Sequence, residues 1–326
     1  MTTLYPLLFA PILKERIWGG RELERLYAKQ LPGTNPIGES WEISDRPGDA
    51  SVITNGIFAG KTLRWLMENR AVEILGGAKP ASDNHFPILC KILDARDKLS
   101  LQVHPPAQKA AALKGEPKTE MWFIADAQPG AELYVGLKRG VTRLEFEGKI
   151  HSGAVADCFH RVPVKAGDTM FLPSGRVHAI GSGLVIFEIQ QNSDTTYRVF
   201  DWNRTGLDGK PRELHVPQSL ASIDFADFEP ALVSIPFVAD GPIQKQSLVH
   251  DPLFNVEAWQ IAPHQESPLK PKALQIIAVT NGELEIVNGK DVTKVSAGQF
   301  CLVPAALNQA RIVANSPTEL LRVLVV

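Results

Sequence analysis

The 326-residue sequence has no apolar run near the ~18 residues that a membrane-spanning helix needs. Its N-terminus also lacks the basic-then-apolar pattern of a secretory signal, so no membrane role is expected. Cysteine is scarce: Cys90, Cys158 and Cys301 lie far apart with no C-x-x-C spacing. That excludes a disulfide framework and a thiolate zinc site, and a reducing cytoplasm is the expected compartment. Cys90 and Cys301 sit in apolar runs and read as small core residues. An excess of one charge is missing too, because 34 Lys+Arg against 36 Asp+Glu leave a net charge of −2. Such a chain has no global field for nucleic acid or an anionic membrane, and no helix-turn-helix segment or basic patch stands out. An anionic ligand must therefore be held by a local group of cations. The length allows one large core or two smaller ones, and two barrel-sized units are the natural division.

Periodicity supplies the coarse structure. Gly38 to Ser44 alternates polar and apolar residues, the mark of a half-buried strand. Trp18 and Trp41 are expected to pack one edge of the core. Arg21 to Tyr27 reads as a brief helix. Thr62 to Leu75, with Leu63, Leu66, Met67 and Ile74, reads as an amphipathic one closed by Gly76-Gly77. Val141 to Ala156 looks like a helical insertion. Met121 to Ile124 and Glu132 to Gly136, joined through Gln128-Pro129-Gly130, form a strand-turn-strand pattern. Leu274 to Ile286 predicts a hairpin about Asn281-Gly282. Between these, Pro230, Pro236, Pro242 and Pro252 mark a linker followed by edge strands.

The chemistry gathers around Ser100, Gln102 and His104, which leave one strand by the same face and are followed at once by Pro105-Pro106. Lys118 and Glu120 repeat that i, i+2 spacing. Ala166 to His178 is a turn, an apolar strand and a second turn that delivers another histidine. Two imidazoles, a carboxylate and an amide oxygen make a divalent-metal set: Gln102, His104, Glu120 and His178. The blander alternative is a pair of ordinary core histidines. Lys91 is out of place in the apolar run Phe86 to Leu93, and should reach a carboxylate or an anionic ligand unless the strand is a solvated edge. Glu188 lies in another apolar run, where desolvation would favour its protonated form. His85, His151, His160, His215, His250 and His264 have no comparable partners and read as structural or solvated.

Taken in order, Trp18-Gly19-Gly20, the Ser100–Pro106 stretch, Lys118–Phe123, Ala166–His178 and Glu188–Arg204 make the chain resemble the type I phosphomannose isomerases, in their short bacterial form. The likeness runs to about Asp224 and is weaker beyond. It implies a mainly β fold of two cupin-type (jelly-roll) β-barrels with a few short helices inserted. Residues 1–226 would form a metal-binding catalytic barrel and residues 227–326 a metal-free one. It further implies one Zn2+ per chain on Gln102, His104, Glu120 and His178, other divalent metals suiting the same donors. A sugar phosphate would be held through Ser100 and Lys91, with Arg198, Glu188 and Lys118 in the active site. Glu188 is read as the base for C1 and C2 and Lys118 as its helper; the plainer role for Arg198 is an ion pair with Asp194. The expected reaction interconverts mannose 6-phosphate and fructose 6-phosphate through an enediolate, by a monomer or homodimer.

An internal repeat supports the division of labour. Ala297 to Pro304 lies on Ala166 to Pro173 without a gap, which puts Gln309 at the position of His178 and Gln275 at that of Glu120. Neutral amides offer little to a divalent cation. The competing readings are an isomerase for another sugar phosphate, a cupin oxygenase or decarboxylase, and a sugar-binding regulatory cupin. Gln102 and Lys91 argue against the oxygenase, and the complete ligand quartet argues against a regulator.

Overall fold

Runs rich in β-branched and aromatic residues pack well on a pleated surface, and sixteen strands, most of them of that kind, form two copies of one arrangement. The computed structural model describes residues 3–326. The first copy contains β1 (Ile88–Ala95), β2 (Leu101–Val103), β3 (Glu120–Ala127), β4 (Glu132–Leu137), β5 (Phe159–Pro163), β6 (Thr169–Leu172), β7 (His178–Ile180) and β8 (Leu184–Gln191). The second contains β9 (Phe254–Ile261), β10 (Gln265–Pro268), β11 (Gln275–Asn281), β12 (Glu283–Asn288), β13 (Asp291–Ser296), β14 (Phe300–Val303), β15 (Arg311–Ala314) and β16 (Thr318–Val325). Strands β6-β3-β8-β1 are neighbours in one sheet and β5-β4-β7-β2 in another; β14-β11-β16-β9 and β13-β12-β15-β10 repeat both orders. This is the strand order of a double-sheet jelly roll. The repeat visible in sequence at β6 and β14 therefore extends through eight strands.

The chain divides into two compact units. One consists of Leu13–Ser40 and Lys91–Val233; the other consists of the segment ending at Ile12 with Trp41–Cys90 and Ser234–Val326. Each unit is therefore built from more than one stretch of chain. Strands Ile12–Gly20 and Ile37–Ile43 extend the first sheet beyond β1, and Tyr197–Phe200 lies beside β2. All seven residues of Ile37–Ile43 are buried, where alternation had suggested a half-exposed strand.

The two turn signatures have a different outcome from hairpins. β3 pairs with β6 and β8, whereas β4 pairs with β5 and β7, so Gln128-Pro129-Gly130 carries the chain from one sheet to the other. Asn281-Gly282 does the same between β11 and β12. Gly282 has φ +78°, and a Cβ there would lie 2.4 Å from the Pro317 carbonyl oxygen. Gly282→Ala is expected to cost about 3 kcal/mol in urea unfolding from strain and clash together; a change below about 0.5 kcal/mol would show that the corner yields freely.

Between the first pair of sheets lie Trp122, Ile124, Leu133, Val135, Ile180 and Ile186. The opposite face of the β2-containing sheet, with Leu101, Val103 and Tyr134, packs against Phe146, Cys158 and Ile223. Phe146 belongs to helix Arg143–Ser152, the expected insertion, whose Thr142 cap accepts a hydrogen bond from Glu145 N. Coverage on both faces makes this sheet a rigid support for inward-facing groups. No helix among the described residues is long and apolar enough to cross a membrane.

Candidate metal centre

Register brings the predicted ligands together. His178 stands directly opposite Gln102, and Gln102 directly opposite Arg198, so the three side chains form a row on one face. On the facing sheet Glu120 stands opposite Gln190, and Trp122 opposite Glu188. The polar residues occupy the starts of β3 and β7 and the far part of β8; the apolar core fills the rest of the interior.

His104, Glu120 and His178 are all buried, and one potential ligand atom from each lies within 4.8 Å of the others. Glu120 Oε2 is 3.6 Å from His104 Nε2, and Oε1 is 3.4 Å from His178 Nε2. The Gln102 amide lies 3.3 Å from His178 Nε2 and can turn its oxygen inward by exchanging its two ends. His104 Nδ1 donates to the Thr195 carbonyl at 2.7 Å and His178 Nδ1 to the Arg176 carbonyl at 2.9 Å. A carbonyl only accepts, so in both neutral rings Nε2 is the unprotonated nitrogen and offers its lone pair. Among the described residues neither His104 Nε2 nor Glu120 Oε1 has a hydrogen-bond partner. Orphaned acceptors in so dry a place are costly. Two imidazoles, a carboxylate and an amide suit zinc and other borderline divalent metals.

Electrostatics keeps the donors in ligating form. Burial, aided by the Lys118 charge, pushes His104 down to about 4, and burial lowers His178 as well. Burial alone would raise Glu120, but Lys118 at 2.8 Å, His104 and His178 together outweigh it and hold the carboxyl well below the usual range. Burial likewise opposes the Lys118 charge, and Glu120 and Glu188 overcome it, so its pKa rises. A pH consequence follows for the metal-free protein. His104 is depressed from 6.5 to about 4, so its stabilising contribution is full above pH 6.5. It is lost as pH falls through about 4, because the unfolded chain takes up the proton first. The loss expected in urea titrations is about 3 kcal/mol, and a His104→Gln variant should lack that part of the slope.

Charges alternate along the second wall. Lys118 Nζ lies 3.9 Å from Glu188 Oε1, and Lys91 Nζ lies 3.3 Å from that same oxygen and 3.8 Å from Glu39 Oε2. Arg16 Nε continues the series at 2.6 Å from Glu39 Oε1. Lys91 is thus an interior residue paired with carboxylates, and the solvated-edge alternative is excluded because β1 has a strand on either side. Glu188 lies beside two ammonium groups, with its other oxygen accepting from Trp122 Nε1 at 3.0 Å. Sequence reading missed Glu39 and Arg16; an acid inside a strand that turns out wholly buried was the available signal. Arg198 Nε donates to Ser100 Oγ at 3.3 Å and Nη1 to the Glu213 carbonyl at 2.8 Å. No ion pair joins Arg198 to Asp194 among the described residues, which removes the plainer role.

A cavity of ≈ 580 Å³ opens over these groups, lined by Lys91, Ser100, Gln102, Lys118, Glu188 and Arg198 among others. His215 also lines it. In the second copy the position of Glu120 is held by Gln275, whose amide accepts from Arg322 Nε at 2.8 Å and donates to the Lys270 carbonyl at 2.8 Å.

The model of the phosphomannose isomerase type I catalytic domain matches residues 7–127, a span that includes Gln102, His104 and Glu120. The chain is 35% identical over 300 residues to the mannose-6-phosphate isomerase of Streptococcus mutans, covering 92% of each protein. The chain belongs to the type I phosphomannose isomerase family. Another member, the mannose-6-phosphate isomerase ManA of Bacillus subtilis, is 35% identical over 312 residues, 95% of this chain and 96% of that one. The crystal structure of a Bacillus subtilis mannose 6-phosphate isomerase superposes with a TM-score of 0.89 at 30% identity, covering 99% of this chain and all of the other. A Salmonella typhimurium phosphomannose isomerase, at 18% identity and a TM-score of 0.77, shares the fold.

Proposed function

We propose that this phosphomannose isomerase family member interconverts mannose 6-phosphate and fructose 6-phosphate with one divalent metal, zinc, held by Gln102, His104, Glu120 and His178. The observation that carries the reading is the set of dry, unpartnered ligand atoms on His104 and Glu120, next to Gln102 and Lys118, which line a polar cavity. Zinc fits a mixed N/O set that leaves a position for water or substrate. When bound, it would supply Lewis-acid stabilisation to the sugar oxygens as charge develops on them.

The remaining work falls to the chain. Glu188 takes the proton from C2 and returns it to C1, its Oε2 fixed by Trp122. Lys91 and Lys118 hold that carboxylate in place. Lys118, kept charged by Glu120 and Glu188, acts as a hydrogen-bond donor during ring opening. Arg198 faces the same space and stabilises the enediolate oxygen. Ser100 and Lys91 contact the phosphate, as the family pattern implies. The three buried cysteines support a reducing cytoplasm as the place of action.

A coupled assay on mannose 6-phosphate, before and after chelation and with zinc restored, tests the reading. Turnover should vanish with the metal and return with it. Undiminished activity after complete chelation would overturn the metal-dependent route.

A further inference from the structure

The turn that delivers His178 does more than reverse the chain. Pro173, Ser174, Gly175 and Arg176 are closed by Arg176 N on the Pro173 carbonyl at 3.1 Å, and Gly175 has φ +95°, which glycine adopts without strain. Each residue after the proline reaches a segment that bears a proposed ligand. Ser174 Oγ accepts from Lys118 N at 3.2 Å, just ahead of Glu120. Gly175 N donates to the His104 carbonyl at 2.9 Å. The Arg176 carbonyl accepts from His178 Nδ1 at 2.9 Å.

The Arg176 side chain uses all its nitrogens to hold that carbonyl still. Nε donates to Asp227 Oδ2 and Nη2 to Oδ1, both at 2.8 Å, while Nη1 donates to the Phe171 carbonyl of β6 at 2.7 Å. Asp227 is itself fixed, because its carbonyl accepts from Leu137 N at the end of β4 at 3.0 Å. Nearby, Asp224 N donates to the Gly175 carbonyl at 2.9 Å. The two side chains are only 16% and 17% exposed. A two-pronged pair so well covered keeps its geometry far better than a solvated pair of flexible side chains.

The second copy separates this clamp from the turn itself. Continuing the ungapped alignment of Ala297–Pro304 on Ala166–Pro173 sets Ala305, Ala306 and Leu307 on Ser174, Gly175 and Arg176. Leu307 N again closes on the Pro304 carbonyl at 3.1 Å, so a turn with the same closing bond forms without an arginine. The copy with Gln275 in place of Glu120 has leucine at this point. The copy that carries the proposed metal ligands has the clamp.

Resting on the metal-centre reading, we propose that Arg176 is a positioning residue for His178 and that Asp227 acts through it. The pair fixes the Arg176 carbonyl, and that carbonyl sets the tautomer and direction of the imidazole. His178 Nε2 is thereby aimed into the space beside Glu120 and Gln102.

The test compares wild type, Arg176→Ala, Arg176→Lys, Asp227→Asn and the double variant Arg176→Ala/Asp227→Asn as full chains. It reads zinc affinity by competition with a chelating indicator, and the Nδ1–H resonances of His104 and His178 by NMR of the metal-free protein. Arg176→Ala should weaken zinc binding about 10-fold, the lower end of the effect of disturbing the partner of a ligating histidine. Arg176→Lys keeps one prong of the pair and should lose less. The double variant should match Arg176→Ala within about twofold, because two residues that act as one device do not add. The His178 resonance should move, whereas His104, whose ring donates to the Thr195 carbonyl, should keep its own. A zinc constant within about twofold of wild type in Arg176→Ala, or resonances of both histidines moving alike as a general loosening would make them, would overturn the proposal. Should Arg176→Ala fail to fold, the same two criteria apply to Asp227→Asn. The resonances need no metal. A wild type that binds no zinc, while the variant still shifts His178 alone, would therefore sink the metal-centre reading and leave the positioning role standing.

Discussion

Glu120→Gln is expected to empty the metal site while leaving the fold in place. The amide matches the carboxylate in size but withdraws the one anionic ligand from between His104 and His178. Metal content should drop to roughly a tenth of an ion per chain or less, and turnover by on the order of 1,000-fold or more, since the Lewis acid is lost outright. Lys118 would lose its nearer carboxylate in a buried place and keep only the longer contact to Glu188, at a cost of about 3 kcal/mol. The second copy shows that the backbone tolerates the change, because Gln275 stands at the same point of β11 with its amide satisfied. Elemental analysis with the coupled assay decides the matter. A variant that keeps most of its metal, or loses less than about tenfold in rate, would mean that Glu120 has another task.

Arg198→Ala should separate binding of the metal from use of it. Arg198 stands next to Gln102 in the ladder and touches Ser100, but it donates nothing to the imidazoles. Metal content should therefore stay at the wild-type level. The rate should fall about 100- to 1,000-fold, the scale for removing one preorganised donor from a developing oxyanion. Some of that loss will come through the Glu213 tie that steadies the neighbouring segment; Arg198→Lys keeps the charge and should recover part of the rate. A fall in metal content matching the fall in rate would make Arg198 a support for the ligands instead.

Much of this centre was readable from strings, and the reason is local geometry. Gln102 with His104, and Lys118 with Glu120, sit two residues apart on extended chain, so their shared face follows from the pleat alone. His178 follows a turn and an apolar strand that recur at Ala297–Pro304, which exposes it as a motif. What escaped depends on long-range pairing. Period-two patterns flanking Gln128-Pro129-Gly130 and Asn281-Gly282 announce strands and a reversal, but not that each partner joins a different sheet. Glu39 and Arg16 meet Lys91 across strands separated by many residues. Likewise, nothing near Arg176 in sequence says that Asp227 will anchor it. The grouping of the early segments with the C-terminal strands is a further consequence of pairing that composition does not encode.

The central claim is that four side chains from separate strands and loops surround a single cation. An anomalous difference map, from crystals of the active zinc-loaded protein measured at the zinc absorption edge, addresses it most directly. One peak is predicted at ~2.0–2.2 Å from His104 Nε2, His178 Nε2 and a Glu120 oxygen, with the Gln102 oxygen completing the set. A peak bound elsewhere, or no peak in protein that still turns over mannose 6-phosphate, would contradict the account.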